Sequence, residues 1–353
     1  MWDVVIVGAG PAGSVAAHVL AREGRTVLLV DPLAEQTAKV GETLPGAALR
    51  MLRTLRLPTP DQSGHHTPIG GTLSCWGSDE LMATDFFRDP DGPGWRLDRL
   101  CFDASLRETA IASGAVFKRT RLTEIQSNRG RWRITLANRE AIEATWVIDA
   151  TGRSASVARR LGARRVRDNA LIAVYAIGDP RKRISTNRTV IEATRNGWWY
   201  AGLLPSGAAI AGFHFLPQST PFRLRSESWN CELEQTHYIK TIFRDVVFAL
   251  PLIARDASGG RLSSPNGDAW LACGDAAACF DPVSGQGIFS AIYGGMSAGI
   301  AIHKSLSGDG TALGEYKLRL EAVRRIYQSS CKSMYESQNR WPDTDFWLQM
   351  RQH

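Results

Sequence analysis

The chain has 353 residues, 44% hydrophobic and 22% charged, with 33 Gly and 16 Pro, ample material for a large buried core. Disorder, a collagen-like repeat and a disulfide miniprotein are excluded, and the six cysteines (Cys75, Cys101, Cys231, Cys273, Cys279, Cys331) lack the spacing of a zinc site or a disulfide framework. The formal net charge is +7, with 35 Arg against 7 Lys, a mild excess suited to solubility that leaves room for phosphates or an acidic partner.

Trp2–Val7 runs straight into a glycine turn without the basic, apolar and cleavage regions of a secretory signal, so the expectation is a cytoplasmic protein. Val4–Val7 reads as a strand buried on both faces, followed by Gly8-Ala9-Gly10-Pro11-Ala12-Gly13, an Ala-rich helix over Ser14–Glu23 and a second apolar run, Thr26–Val30, ending in Asp31. This is the βαβ dinucleotide fingerprint in its required context. Gly8 permits the tight turn, Gly10 lets the backbone approach a pyrophosphate, and Gly13 lets the helix pack on the strand. The helix N-terminus then faces the phosphate charge. Asp31, 18 residues beyond Gly13, is placed to accept ribose hydroxyls. The fingerprint alone does not choose NAD over FAD.

Further along, Lys39–Gly46 forms a Gly-Glu-x-x-Pro segment, and 60–95 is a Gly/Pro-punctuated stretch holding His65 and His66. Gly94-Trp95-Arg96-Leu97-Asp98-Arg99 leads into an amphipathic helix with Leu100, Phe102 and Leu106. Trp146–Asp149 reads as a strand turning at Thr151-Gly152. Leu171–Ile177, Thr189–Ala193, Trp198–Leu204 and Ala208–Phe215 alternate as strands of an antiparallel sheet. Trp270–Cys273 is another strand, ending in Gly274-Asp275, where a carboxylate can bond a sugar-alcohol hydroxyl. After Phe280-Asp281-Pro282, the helix start at Gly285, Gly287 and Ile288 offers free N–H groups to a polar ring edge. The apolar stretch Ile288–Ile302 is broken by Gly294, Gly295 and Gly299, which makes it a core helix rather than a membrane span. The tail from about 305 reads as one or two helices, with Tyr316, Leu320, Ile326 and Trp347 packing back.

The Gly-Asp strand end with Pro282, Gly285 and Gly287 resembles the second FAD motif of the p-hydroxybenzoate-hydroxylase-like flavoproteins. Thr151-Gly152 is similar to their returning strand and turn, and the resemblance places Arg99 against the flavin nucleotide; the plainer role for Arg99 is a salt bridge with Asp98 or Asp103. It implies FAD as cofactor, with a transient NAD(P)H or other external reductant and O2 as co-substrate, since no second nucleotide fingerprint appears. The implied fold is a discontinuous α/β FAD-binding domain, Rossmann-like and of glutathione-reductase type (residues 1–60, 96–165 and 266–305). An α+β substrate domain built on an antiparallel sheet (61–95 and 166–265) roofs it, and a helical C-terminal segment (306–353) follows.

Gly41-Glu42-Thr43-Leu44-Pro45 resembles the flavin strap of the tryptophan-halogenase branch, yet no Lys lies between Lys39 and Lys118, where halogenases carry their essential ammonium, and the Trp-x-Trp-x-Ile-Pro signature is absent. Residues 40–110 resemble more narrowly the bacterial flavoproteins that modify a tryptophan of a partner protein during tryptophylquinone cofactor formation. The resemblance implies a monooxygenase that hydroxylates an aromatic, indole-type group, here peptidyl, through a flavin C4a-hydroperoxide, with no nucleic acid and no membrane span. Alternatives are a halogenase, a prenyl-chain reductase and a non-enzymatic flavin-binding accessory protein. Glu42, His65 and His66 are the candidate catalytic residues, and Trp198, Trp199 and Tyr200 the candidate substrate platform. Each has a plainer reading: a backbone anchor for Glu42, exposed loop residues for the histidines, interface filling for the aromatics. The basic stretches Lys118–Arg139 and Arg153–Arg167 are read as solvated faces, or as the surface that meets an acidic protein.

Overall fold

A computed structural model of the chain describes residues 1–33, 39–86, 89–128 and 130–352. From the N-terminus, β1 (Trp2–Val7), α1 (Pro11–Arg22) and β2 (Val27–Val30) are followed by β3 (Thr43–Leu44), α2 (Ala47–Thr54), β4 (Thr67–Ile69), β5 (Gly71–Cys75), β6 (Met82–Asp85) and β7 (Gly94–Arg96). Then come α3 (Arg99–Ala112), β8 (Val116–Lys118), the run β9 (Leu122–Asn128), β10 (Arg131–Leu136) and β11 (Ala141–Asp149), and α4 (Ser156–Arg160). The second half contains β12 (Arg165–Arg167), β13 (Ile172–Pro180), β14 (Thr189–Thr194), β15 (Gly197–Leu203), β16 (Ala209–Phe215), α5 (Ser226–Glu234), α6 (Tyr238–Ile242), β17 (Val246–Phe248) and β18 (Ile253–Asp256). It closes with β19 (Gly260–Leu262), β20 (Asn266–Gly267), β21 (Trp270–Ala272), β22 (Ala278–Cys279), α7 (Gly287–Leu306), α8 (Ala312–Glu336) and α9 (Asp345–Arg351).

Two large sheets organise the described residues. In the first, β21, β11, β1, β2 and β8 run parallel, and β1 pairs with β2 and β11 in the register Val5 with Leu28 and Val147. Val4–Val7 and Val27–Val30 alternate between two apolar layers, which explains why both runs are apolar throughout. One layer lies under α1, α3 and α7; the other is covered by the antiparallel β9–β10–β11 arm and α4.

The second sheet has the order β17, β13, β16, β15, β14, β5, β6, with β18 beside β13. Its neighbours are antiparallel except β14 and β5, which pair in parallel, Thr189 opposite Thr72. The roof is therefore drawn from both insertions. Of the described residues in 61–95 only β5 and β6 join it, because β4 pairs with β7, which also takes β3, in a small separate sheet. One face of the roof is covered by α5 and α6, with Trp199, Trp229, Ile239 and Phe243 at the seam. The other face carries Trp198, Tyr175 and Tyr200 and meets Val40, Val283 and the C-terminal helices.

The expected contacts of the tail hold at Tyr316 and Trp347, which are buried, but Ile326 is 69% exposed. At that turn α8 instead faces inward with Arg324, Tyr327, Cys331 and Tyr335, a polar stripe that bonds Asp168 and Asp281. Leu100 is likewise exposed on α3, whose inner face is Phe102, Leu106 and Ala110. No described helix is long and apolar enough to cross a membrane.

The feature that sets the site is backbone contact between α1 and α7. A Cβ at Gly295 would lie 2.2 Å from the Ala12 carbonyl oxygen, and one at Gly299 would lie 2.9 Å from Val19. Gly274, at φ +57°, abuts the Ala12 methyl in the same way. Gly295→Ala is accordingly expected to cost about 1–3 kcal/mol through a clash that no rotamer relieves, read as a melting temperature several degrees lower. Gly314→Ala, in open space on α8, leaves the melting temperature equal or higher; equal behaviour of the two variants would refute this packing.

Candidate cofactor site and strap

Two helix N-termini converge on one side of the first sheet. α1 begins after Gly10 with no side-chain cap, and α7 begins after Gln286, also uncapped, so both leave backbone N–H groups free for an anion or a polar ring edge. Because Gly295 meets Ala12, the start of α7 extends about 12 Å beyond the α1 contact at 1.5 Å per residue. That separation suits an extended dinucleotide rather than a single phosphate.

The glycines before α1 divide the work. A Cβ at Gly8, at φ +107°, would lie 2.2 Å from the Ala150 carbonyl oxygen, and one at Gly13 would lie 1.8 Å from the Gly8 carbonyl oxygen. Gly10 has nothing within 4 Å of its Cβ position: there the chain keeps open space that a pyrophosphate can occupy. Asp31 accepts the Ala9 N–H at 2.7 Å and the Leu33 N–H at 2.7 Å, which pins the end of β2 to the glycine turn. Each carboxylate oxygen keeps a lone pair for a ribose hydroxyl.

Asp149 and Thr151 serve the scaffold. Asp149 is fully buried and accepts N–H groups of Val157 and Ala158 at the start of α4, while the Thr151 hydroxyl donates to it at 2.6 Å. Gly152 follows at φ +64° with open space around it. Beyond β21, Asp275 sits on a one-turn helix with its side chain 37% exposed and Arg153 Nε 3.6 Å away. Burial pushes its carboxyl up, opposed by Arg153, Arg165 and Arg99; contact with solvent weakens that push. Arg153 also donates to the carbonyls of Ser258 and Phe280, and Arg165 to those of Arg153 and Asp275. These two arginines of the 153–167 stretch are thus spent inside the molecule, holding the Asp275 loop. The expectation of a solvated basic face fails at these two positions, whose carbonyl partners carry no sequence signal.

The Pro282–Ser284 turn ends at Gly285, φ +61°, and both Gly285 and Gly287 face open space. The Ile288 side chain packs with Val15 and Leu44 in the core, so what this position has to offer a cofactor is its backbone N–H. Asp281, fully buried, accepts the Val283 N–H at 2.9 Å and the Tyr335 hydroxyl at 2.9 Å, and that hydroxyl in turn accepts from Trp198 Nε1 at 3.1 Å. Burial raises the Asp281 carboxyl to about 6, against the Val283, Tyr335 and Arg153 interactions.

The Gly-Glu-x-x-Pro strap is clamped from one side by β7 and the start of α3. Arg99 donates to the carbonyls of Val40 (3.2 Å) and Gly41 (2.7 Å) and bridges to Asp103, which also takes Lys39 at 2.7 Å. Its guanidinium is therefore engaged with the strap and with Asp103, and Asp98 instead caps α3. Glu42 is sealed at 2% exposure against Arg96, and this rules out direct contact with a substrate in this conformation. Its carboxylate is an anchor.

The other candidates separate. His65 is exposed; His66 is buried, accepts the Asp98 N–H at 3.1 Å and meets Phe102 edge-on. Burial lowers its pKa. Both histidines line a cleft of ≈ 310 Å³ with Thr59, Cys101 and Glu108, beside α3 rather than beneath the roof, because β4 joins the small sheet. Trp198 and Trp199 point to opposite faces, as strand alternation requires. Trp199 lies under α5 against Phe213 and Trp229, and Trp198 stacks on His214 at 3.7 Å beneath Tyr335. Neither offers a free ring face. Tyr200 is partly exposed on the strap side, with its hydroxyl 2.6 Å from Arg96.

An uncapped pair of helix N-termini, an open glycine cradle and carboxylates at two strand ends fit a flavin dinucleotide, and the class so defined is a flavoprotein. The sequence profile of the FAD binding domain matches residues 1–179, just over half of the chain. The chain belongs to that family and is an FAD-dependent oxidoreductase. It is 29% identical over 98% of its length to a putative FAD-dependent oxidoreductase, LodB of Marinomonas mediterranea, covering 96% of that protein. The flavin-dependent halogenase CmlS superposes with a TM-score of 0.85 at 22% identity, over 99% of this chain and 67% of that one. QhpG, a peptidyl tryptophan dihydroxylase essential for tryptophylquinone cofactor biogenesis, superposes at 0.81 with 21% identity, over 99% and 78%. These two structural likenesses show the shared fold.

Two outcomes test the site. Asp275→Ala is expected to lower FAD retention several-fold, measured by flavin absorbance per folded chain; unchanged flavin content would refute the role of this strand end. For Asp281 the folded carboxyl titrates near 6 and the unfolded one near 4, so the folded state binds the proton more tightly. Its contribution to stability is complete below pH 4 and is lost as pH rises from about 4 to about 6, on the order of 3 kcal/mol. Asp281→Asn should remove that slope from a plot of melting temperature against pH, and an unchanged slope would show that Asp281 is not the group responsible.

Proposed function

We propose that the protein is an FAD-dependent monooxygenase that hydroxylates an indole-type ring, with a tryptophan side chain of a partner protein as its substrate during quinone cofactor maturation. The observation that carries this reading is the strap. The buried cation against it is the Arg96 guanidinium of β7, bonded through Nη1 to Glu42 and Tyr200 and through Nη2 to Thr189, and a guanidinium reproduces neither the geometry nor the proton donation of an ammonium. Hydroxylation needs no such ammonium, and halogenation is the weaker reading. The full-length likeness to LodB supports an FAD-dependent oxidoreductase, and the fold shared with QhpG accommodates a peptidyl tryptophan substrate; the same fold in the halogenase CmlS leaves the choice of chemistry to the strap.

In this reading the residues that would hold FAD are Gly8, Gly10, Ala12 and Gly13 at the glycine turn, Asp31 as acceptor for a ribose hydroxyl, and Gly41 and Glu42 of the strap, which Arg99 clamps. Thr151, Gly152, Gly274, Asp275, Pro282, Gly285, Gly287 and the Ile288 N–H would complete the site. Bound FAD, reduced by NAD(P)H or another external donor, supplies the activation of O2; one oxygen atom enters the ring and the other leaves as water. The protein's residues would position the ring, exclude water and orient hydrogen bonds, with Tyr200 the one of the three candidate platform aromatics that keeps exposed surface.

The test combines oxygen uptake by the reduced holoenzyme with mass spectrometry of a co-expressed quinoprotein precursor. The expected result is substrate-coupled uptake and a gain of one oxygen atom per hydroxylation, located on a tryptophan peptide. A precursor of unmodified mass overturns the peptidyl substrate. Absence of coupled oxygen uptake with any aromatic substrate overturns monooxygenation.

A further inference from the structure

One guanidinium joins the flavin strap to the roof. Arg96 stands on β7, fully buried, and its Nη1 lies 2.9 Å from Glu42 Oε1, 3.2 Å from Thr43 Oγ1 and 2.6 Å from Tyr200 Oη. Its Nη2 donates to Thr189 Oγ1 at 2.9 Å. Glu42 and Thr43 belong to the strap; Thr189 and Tyr200 belong to β14 and β15 of the roof. The roof is cut to receive the group: a Cβ at Gly202 would lie 2.4 Å from Nη2.

Energetically this is a poor way to hold a fold together. Glu42 Oε2 and Arg96 Nε are buried without a partner, so two charges are desolvated with part of their hydrogen-bonding capacity unused. Buried pairs of this kind are often no more stabilising than apolar residues of equal volume. What the pair supplies is direction. A planar fork fixes its acceptors in angle as well as distance, and among the described residues the strap and the roof share no other side-chain hydrogen bond. Tyr200 Oη, accepting from Arg96, has its own proton left to donate towards the strap side of the roof.

We propose that Arg96 is a positioning residue that locks the strap in register with the roof, and so fixes how the strap lies along the flavin and where the Tyr200 hydroxyl points. The proposal rests on the reading of residues 40–45 as a flavin strap. It assigns a role to the first arginine of Gly-Trp-Arg-Leu-Asp-Arg and makes Glu42 its counter-ion.

The experiment uses the full chain loaded with FAD and four variants. Gly202→Ala puts a methyl group against Nη2, the terminal atom of the side chain, and removes no charge or hydrogen-bonding group. Tyr200→Phe removes one acceptor, Arg96→Lys keeps the charge without the fork, and Trp199→Phe alters the far face of the same strand. The readouts are the visible circular dichroism of bound flavin, the FAD dissociation constant and the melting temperature. Gly202→Ala and Arg96→Lys are expected to change the flavin dichroism and weaken FAD about tenfold. Tyr200→Phe changes the dichroism with a smaller loss of affinity, and Trp199→Phe shifts only the melting temperature. If Gly202→Ala or Arg96→Lys fails to fold, Tyr200→Phe decides by its dichroism. Folded Gly202→Ala or Tyr200→Phe protein with wild-type dichroism overturns the lock, whereas a wild-type chain that binds no FAD overturns the cofactor reading instead.

Discussion

Backbone-to-backbone packing of α1 on α7 is the constraint from which the rest of the site follows. With Gly295 against Ala12, Gly299 against Val19 and Gly13 against Gly8, two helices and a strand approach more closely than side chains would permit. The axes are thereby fixed, and with them the distance between two uncapped N-termini. Everything polar in the cofactor site is referred to that frame: Asp31 through the Ala9 N–H, Asp275 through Gly274, and the Pro282–Gly285 turn through the start of α7. Apolar burial alone would have held the helices near one another without defining where their ends lie.

Arginine performs the second layer of construction. Arg96 and Arg99 hold the strap, Arg153 and Arg165 hold the Asp275 loop, and Arg324 and Arg340 fasten the C-terminal helices to Asp168 and to the carbonyls of Cys75 and Ala193. Most of these bonds end on backbone carbonyls or hydroxyls, for which a fork of several donors is better suited than a single ammonium. The Arg-rich, Lys-poor composition is in this part a consequence of internal architecture. The β9–β10 arm, by contrast, turns Arg131 and Arg133 to solvent alongside Glu124.

The parts of the molecule that could be read from the sequence are those fixed by short-range geometry. The glycine turn, the buried runs of β1 and β2, the four strands β13 to β16 and the start of α7 each carry a local pattern. Alternation along β15 also implies that Trp198 and Trp199 face opposite ways, so the two could not share a platform. What sequence could not supply are partners set by the tertiary fold. Glu42 meets Arg96 and Asp281 meets Tyr335 across long stretches of chain, and His66 faces α3 because β4 pairs with β7 rather than with the roof. The polar inner stripe of α8 defeats the apolar-periodicity rule: Ile326 faces solvent and Tyr327 occupies the inner side.

The parallel pairing of β5 with β14 has a meaning for the order of assembly. A hairpin can close as soon as its second strand emerges, but this ladder joins strands separated by the whole of α3 and the β8–β11 region. The nucleotide-binding sheet, whose early strands are contiguous, can begin to collapse while the roof still lacks the seam that joins β5 and β6 to its other strands. Non-local pairing is slow because loop-closure entropy is lost before contacts compensate for it. Until β5 is captured, β14 and β5 each present an unpaired edge to other chains, so the interval before the seam closes is the one in which a nascent molecule is most exposed to aggregation.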